Sequence, residues 1–178
     1  MLYKVRVELQ RIEPPIWRIL HIPSRTSLLK LHRILQRAMG WTNSHLHLFE
    51  VDKQLYSEPS PDWELDVLDS RRMTLGKVFT EDRKSFIYEY DLGDSWRHKI
   101  TLLDTIEGEA EEKTGCIAGA RACPPEDCGG TMGYYDLLVA LSDPDHEDHE
   151  SLLEWVGGSY DPNAFDLAAT DRAVKKVR

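Results

Sequence analysis

The chain has 178 residues, of which 41% are hydrophobic and 30% charged, and it carries a formal net charge of −9. That is enough for one core, or one core with an appended subdomain, and no apolar run approaches the roughly 18 residues of a membrane helix, which argues against a membrane protein. Charge is unevenly placed: residues 1–50 hold eight Lys/Arg against three Asp/Glu, while the remainder is net −14, so a local basic patch is conceivable although generic DNA binding is disfavoured. The opening Met1-Leu2-Tyr3-Lys4-Val5-Arg6 passes straight into charged alternation without the apolar stretch of a signal peptide. Three cysteines, Cys116, Cys123 and Cys128, are a poor disulfide framework, and a cytoplasmic chain with reduced thiols is expected.

Val5, Val7 and Leu9 alternate with Lys4, Arg6 and Glu8, the period of a strand with one wet face. Pro14-Pro15 closes the connection, and residues 16–22 form the return strand of a hairpin. Hydroxyls between Ser24 and Ser27 can cap a helix over 27–39, with Leu28, Leu31, Leu35, Ala38 and Met39 on its apolar side and Gly40 as its stop. On that helix Lys30, Arg33 and Arg37 fall within about 60° of one another. They make a short basic ridge. A strand is predicted over 46–51, turned by Asp52-Lys53 into 54–56, with His45 and His47 projecting to the same side. Pro59, Pro61 and several carboxylates make 57–72 a loop, after which Thr74 can cap a short helix ending near Phe79.

Phe86, Tyr88 and Tyr90 then alternate with Ile87, Glu89 and Asp91, and Asp91-Leu92-Gly93-Asp94 carries turn chemistry. Trp96, His98, Ile100 and Leu102 restart the period, completing a central hairpin. An acidic connector spans 107–113, and residues 114–132, rich in glycine and proline, are predicted to be a long loop. Helices follow over 133–141 and 145–156, and Asp161-Pro162 opens a short terminal segment around Phe165, with Thr170 capping a last turn. The expected fold is α+β: an antiparallel or mixed sheet of hairpins, helices packed on one face, and a helical C-terminal portion. A single domain over 1–178 is expected, with sheet and first helix in 1–106 and loop and helices in 107–178.

Candidate chemistry gathers at the central hairpin. Asp91, Asp94 and His98 combine oxygen donors with an imidazole and could hold a divalent metal or work as acid and base, with Glu126 and Asp127 joining if the second glycine loop folds over. Turn chemistry alone also accounts for the aspartates: Asx bonds at Asp91 and Asp94, positive φ at Gly93, and a buried partner for His98. Cys116, Cys123 and Cys128 could join His45 or His47 at zinc, but six and four intervening residues are not the short knuckles of a zinc site, and small buried thiols are the simpler account. The pair His146 and His149 misses the zinc-protease helix spacing by one residue and suits a solvated acidic helix start. Gly129-Gly130-Thr131-Met132-Gly133 could cradle an anion, although it lacks the lysine of a phosphate loop and stands beside two carboxylates. Among the tryptophans, Trp96 is the candidate for stacking on a ligand.

Five blocks follow one another along the chain: Pro14-Pro15-Ile16-Trp17-Arg18, His45-Leu46-His47-Leu48-Phe49, Tyr90 through His98, Pro124-Pro125-Glu126-Asp127-Cys128-Gly129-Gly130, and Asp161-Pro162-Asn163-Ala164-Phe165. In this order, and covering most of the chain, they resemble the plasmid pRiA4b ORF-3-like family. The resemblance implies a compact α+β domain found on plasmids and mobile elements, sometimes labelled a passenger related to resolvases. It brings no agreed activity or catalytic residue. Leu92 stands where an aromatic is common and Cys128 where an aliphatic is common, the latter arguing against a required three-cysteine site. A serine recombinase needs a nucleophilic serine among arginines and a helix-turn-helix reader, and neither is recognisable.

The residues are compatible with three functions. The leading one is a non-catalytic binding or accessory module, for an unidentified protein or small ligand, with its surface at the 91–98 hairpin tip and the 124–130 loop. That surface would draw on Asp91, Asp94, Trp96, His98, Glu126, Asp127, His45 and His47. The second is a metal-dependent hydrolase or nuclease using the Asp/His/Glu cluster. The third is nucleic-acid binding through Arg18, Lys30, Arg33 and Arg37. No cofactor is called for, although a divalent metal fits the candidate residues.

Overall fold

The computed structural model describes residues 1–59, 66–107 and 113–177. Strand β1 (Leu2–Leu9) buries Tyr3, Val5, Val7 and Leu9 and turns Lys4, Arg6 and Glu8 to the wetter face, as the alternation requires. It pairs antiparallel with β2 (Trp17–Pro23), Val5 opposite Leu20 and Val7 opposite Arg18, and the two prolines stay outside the ladder. Helix α1 (Leu28–Met39) is capped by the Ser27 hydroxyl, which accepts from the Lys30 N–H at 3.2 Å. Its buried stripe of Leu28, Leu31, Ile34, Leu35 and Ala38 seals against the sheet's core residues. The helix stops at Gly40, whose N–H bonds the Gln36 carbonyl.

Strands β3 (His47–Val51) and β4 (Gln54–Ser57) are joined through Asp52 and Lys53, both at positive φ, as a two-residue hairpin turn demands. The two-residue β5 (Leu68–Asp69) lies parallel to β4, so the described part of the 57–72 segment is not all loop. Pro61, Asp62 and Glu64, on which the loop expectation rests, lie outside the described residues. A single helical turn, α2 (Leu75–Val78), follows Thr74. The central hairpin is β6 (Ser85–Tyr90) and β7 (Trp96–Ile106), Tyr88 facing His98 across the ladder. Because β7 also pairs with β1, Ile100 opposite Val7, the two hairpins fuse into one sheet. The described strands run in the order β5-β4-β3-β6-β7-β1-β2-β8. Phe49, Tyr88, Tyr90 and Trp96 are fully enclosed on its inner face. Aliphatic and aromatic side chains of this kind each gain about 1.5–3 kcal/mol on full burial, so this face dominates the stability.

Residues 114–132 are not one loop. They contain the edge strand β8 (Gly115–Ala120), paired antiparallel with β2. Its Gly-Cys-Ile-Ala-Gly-Ala sequence lacks strand propensity because tertiary packing dictates it: a Cβ on Gly119 would sit 2.5 Å from the Phe165 ring and 2.9 Å from Arg18. Helix α3 (Gly130–Ser142) begins three residues earlier than expected, its first turn disguised by glycines. Helix α4 (His149–Trp155) begins later, since Asp143 accepts from the Asp145 and His146 backbone N–H groups and holds 143–148 as a turn. The C-terminal segment is a full helix, α5 (Leu167–Lys175), capped by Asp166 accepting from Ala169 N–H at 2.8 Å. Buried Val174 anchors α5 where it packs on α1 and β8. No described helix is long and apolar enough to cross a membrane.

Candidate functional site

The tip of the β6/β7 hairpin is held by its own side chains. Asp91 Oδ1 accepts from the N–H groups of Gly93 (3.0 Å) and Asp94 (3.3 Å), and Ser95 N–H donates to the Asp91 carbonyl at 2.6 Å. Positive φ falls at Asp91 and Ser95 and not at Gly93, which corrects the expected turn: the Asx bonds pin Asp91 itself in the left-handed region. Asp94 Oδ2 accepts from Gly129 N–H at 3.2 Å, joining the tip to the second glycine loop. The approach is close enough that a Cβ at Gly130, where φ is 67°, would lie 2.6 Å from the Asp94 carbonyl oxygen. The hairpin tip and the start of α3 therefore meet, backbone against backbone.

The segment between α1 and β3 closes the other side. Trp41 stacks on Tyr90 with ring centroids 4.9 Å apart and donates its indole N–H to the Pro124 carbonyl at 3.0 Å. Ser44 N–H donates to the Tyr90 hydroxyl at 2.9 Å, and Asp91 N–H donates to the Leu46 carbonyl at 2.9 Å, so His45 is fixed on both flanks. Its Nε2 lies 2.9 Å from Asp127 Oδ1, 3.6 Å from Asp91 Oδ2 and 3.7 Å from Glu126 Oε2. Glu126 is oriented by Thr42, whose N–H (2.7 Å) and hydroxyl (3.0 Å) donate to Oε1, and by the Tyr90 hydroxyl at 3.1 Å from Oε2. Burial pushes the Tyr90 phenol up to about 12, so it remains a donor to that carboxylate across the physiological range.

Three carboxylates thus converge on one imidazole, and among the described residues their ion pairs are with His45 alone. The donor atoms of His45, Asp91 and Asp127 all lie within 4.8 Å of one another. A tetrahedral first-row cation with bonds of about 2.1 Å separates its ligands by about 3.4 Å, close to the His45 spacings. Asp91 is buried whereas Asp127 is 68% exposed, which leaves one side of the group open to solvent. Asp127 joins Asp91 in holding positive φ, a cost in local backbone energy that the surrounding hydrogen bonds sustain.

Several expected participants stand elsewhere. Trp96 is 1% exposed and packs beside Trp41, so it cannot stack on a ligand: the first residue of β7 points into the core. His98 is fully enclosed by Trp41 and Tyr88, where burial lowers it to about 4, and it stands apart from the donor group of His45, Asp91 and Asp127. His45 and His47 do not share a side. His45 precedes the first residue of β3, so strand alternation does not relate them, and His47 is buried against His32. Asp94 clasps Gly129 and stands outside the cation-competent group. The cysteines form no joint site: Cys116 sits on β8 bonded to Asp171 and the Ala118 carbonyl, and burial raises all three thiols, Cys128 to about 12.

The basic ridge is likewise divided. Arg18 is 3% exposed and donates to the carbonyls of Trp17, Ala38, Ala120 and Arg121, because its position on β2 faces the core. It braces the fold and cannot reach a phosphate backbone. Lys30 lines a separate hollow near Arg25 and Arg71, whereas Arg33 and Arg37 face α5. Thr42 and Tyr90, which orient Glu126, carried no sequence signal beyond following Trp41 and facing inward on a strand.

Comparison with known proteins agrees with this architecture. The sequence is 39% identical over 173 residues to "Uncharacterized protein y4hQ" of Sinorhizobium fredii (strain NBRC 101917 / NGR234), covering 96% of this chain and 89% of that protein. The fold matches the crystal structure of a protein of unknown function, MM3350 from Methanosarcina mazei Go1, with a TM-score of 0.84 and 33% identity, covering 94% of this chain and 96% of that one. Residues 1–169 match the sequence model of the plasmid pRiA4b ORF-3-like proteins, and the chain belongs to that family.

Proposed function

We propose that this protein is a cation-dependent binding module whose centre is His45 with Asp91, Glu126 and Asp127. The observation that carries the reading is the convergence of three carboxylate oxygens within 3.7 Å of the His45 Nε2, with no lysine or arginine among the described residues paired to any of them. Such an arrangement concentrates negative charge that a divalent ion would offset. Oxygen-only cages suit magnesium or calcium, whereas an imidazole among carboxylates favours manganese, iron or zinc. Beside the group a groove of about 480 Å³ is lined by Trp41, Glu126, Asp127, Trp155 and Tyr160. An occupant of that groove would complete the ion's coordination from the open side.

The open side also favours a second reading, hydrolysis by a cation-bound water, because exposed Asp127 leaves room for solvent on the ion. Metal analysis of the purified protein, followed by thermal denaturation with added Mn²⁺ or Zn²⁺, tests the shared premise. Stabilisation that is lost in Asp91→Asn and in His45→Ala is expected. Absence of metal on isolation together with no stabilisation in any variant rejects both readings. Activity toward phosphate or acyl esters that needs the ion and disappears in Asp127→Asn would favour the hydrolase over the binding module.

A further inference from the structure

A second concavity lies between α1 and α5, about 840 Å³ in volume and lined by Arg33 and Arg37 from one helix and Arg172 and Lys176 from the end of the other. Its floor is built from Gln36 and Trp41, both buried, with Ala173 and Val177, and Thr42 and Asn43 form its rim. Among the described residues no carboxylate lines it, in a chain whose formal net charge is −9. None of the four cations makes an ion pair with any described residue. Helix dipoles favour Arg37 and Arg172, which lie in the last turns of α1 and α5. They do not explain Arg33, nor why two like-charged pairs spaced four residues apart should face one hollow, an arrangement that is unfavourable until an anion enters.

We propose that this cleft binds a small molecule bearing two or more phosphate groups. Its volume falls within the range of small-ligand sites, roughly 300–1,000 Å³. Guanidinium groups present forked donors that match phosphate oxygens, and three of the four cations are arginines. A long nucleic acid fits less well. In the neighbouring basic hollow two of the cations are engaged, Arg71 with Asp69 and Lys175 with Asp171, which thins any track of cations continuing from the cleft. Outside residues 1–50 the chain is net −14, which would repel an extended polyanion. The proposal is independent of the cation group at His45, which supplies no residue to the cleft.

The test is calorimetric titration of the full chain with inorganic tripolyphosphate at low salt. One-to-one binding is expected, weakening about tenfold in Arg37→Ala and in Arg172→Ala, each losing one charged hydrogen-bonding group. Lys99→Ala, on an exposed position of β7, should leave it unchanged. All the substituted residues are exposed, so each variant should retain the wild-type melting temperature. Absence of binding, or equal weakening in Lys99→Ala, overturns the proposal. So does a short single-stranded DNA that binds more tightly than tripolyphosphate and depends on the same arginines, since the site would then belong to nucleic acid.

Discussion

The imidazoles of His32 and His47 lie face to face, their centroids 3.6 Å apart and their planes 6° from parallel. His32 is tied by one nitrogen to the Tyr88 hydroxyl at 2.8 Å and by the other to Asn43 Oδ1 at 2.6 Å. Burial holds both rings neutral, His32 at about 4 and His47 at about 3, the second lowered further by its neighbour. His98, at about 4, makes a third. Because these values lie below the ordinary 6.5, the unfolded chain binds more protons than the folded one as pH falls beneath 6.5. Stability is therefore complete above that pH and is lost toward pH 4, at about 1.4 kcal/mol per pH unit for each histidine. Urea denaturation at pH 7 and pH 5 should show this loss, and His98→Leu should reduce the slope by about 1.4 kcal/mol per pH unit. An unchanged slope in that variant would contradict the assignment.

Arg18 gives a second prediction. Its guanidinium satisfies carbonyls on β2, at the end of α1, and on β8 and the residue following it, so one side chain ties three parts of the fold. Replacement by leucine strands those acceptors in the interior and should cost about 3–5 kcal/mol in urea denaturation. Arg18→Lys should recover less than half of that, since an ammonium cannot reproduce the planar fork. Full recovery by lysine would mean that charge, not the directed bonds, is what matters.

Both cases mark where the sequence was readable and where it was not. Alternation in Val5-Val7-Leu9 and Phe86-Tyr88-Tyr90 and the capped stripe of Leu28, Leu31 and Leu35 predicted β1, β6 and α1, because local pattern and burial agree there. Strand β8 escaped, since its small residues answer to Phe165 and Arg18 packed over them from far along the chain. At the site, Asp91, Glu126, Asp127 and His45 were among the named candidates, yet their grouping depends on two loops meeting. Proximity to the hairpin tip misplaced His98 and Trp96, although their alternation put them on the face of buried Ile100, because nearness in sequence does not say which face is sealed. The partners of Arg33 and Arg37 come from α5, some 135 residues away, a distance across which neither spacing nor periodicity speaks.

The meeting of the two loops can be tested at Gly130. An alanine there must hold φ near 67° and push its Cβ against the Asp94 carbonyl. Incompatible positive φ alone costs more than about 1 kcal/mol, and the backbone contact adds to it. Gly130→Ala should lower stability by about 2–4 kcal/mol in urea denaturation. It should also weaken any cation binding at His45 by displacing Glu126 and Asp127. A variant as stable as the parent would mean that the loop does not press on the hairpin.

Glu126→Gln separates the two roles of the carboxylate cluster. Glutamine keeps an Oε1 that accepts from the Thr42 N–H and hydroxyl, and its amide N–H can donate to the Tyr90 hydroxyl, so the loop's hydrogen bonds survive. What disappears is one of three negative charges crowded around His45. Without added metal the substitution should leave the melting temperature unchanged or raise it, because like charges no longer repel. With Mn²⁺ or Zn²⁺ present, affinity should fall about ten- to a hundredfold, the loss typical when a ligating or orienting group is altered. Opposite signs in the two measurements are the signature of a group assembled for a cation. If metal-free stability instead falls and metal affinity does not change, Glu126 serves only to anchor the loop through Thr42 and Tyr90.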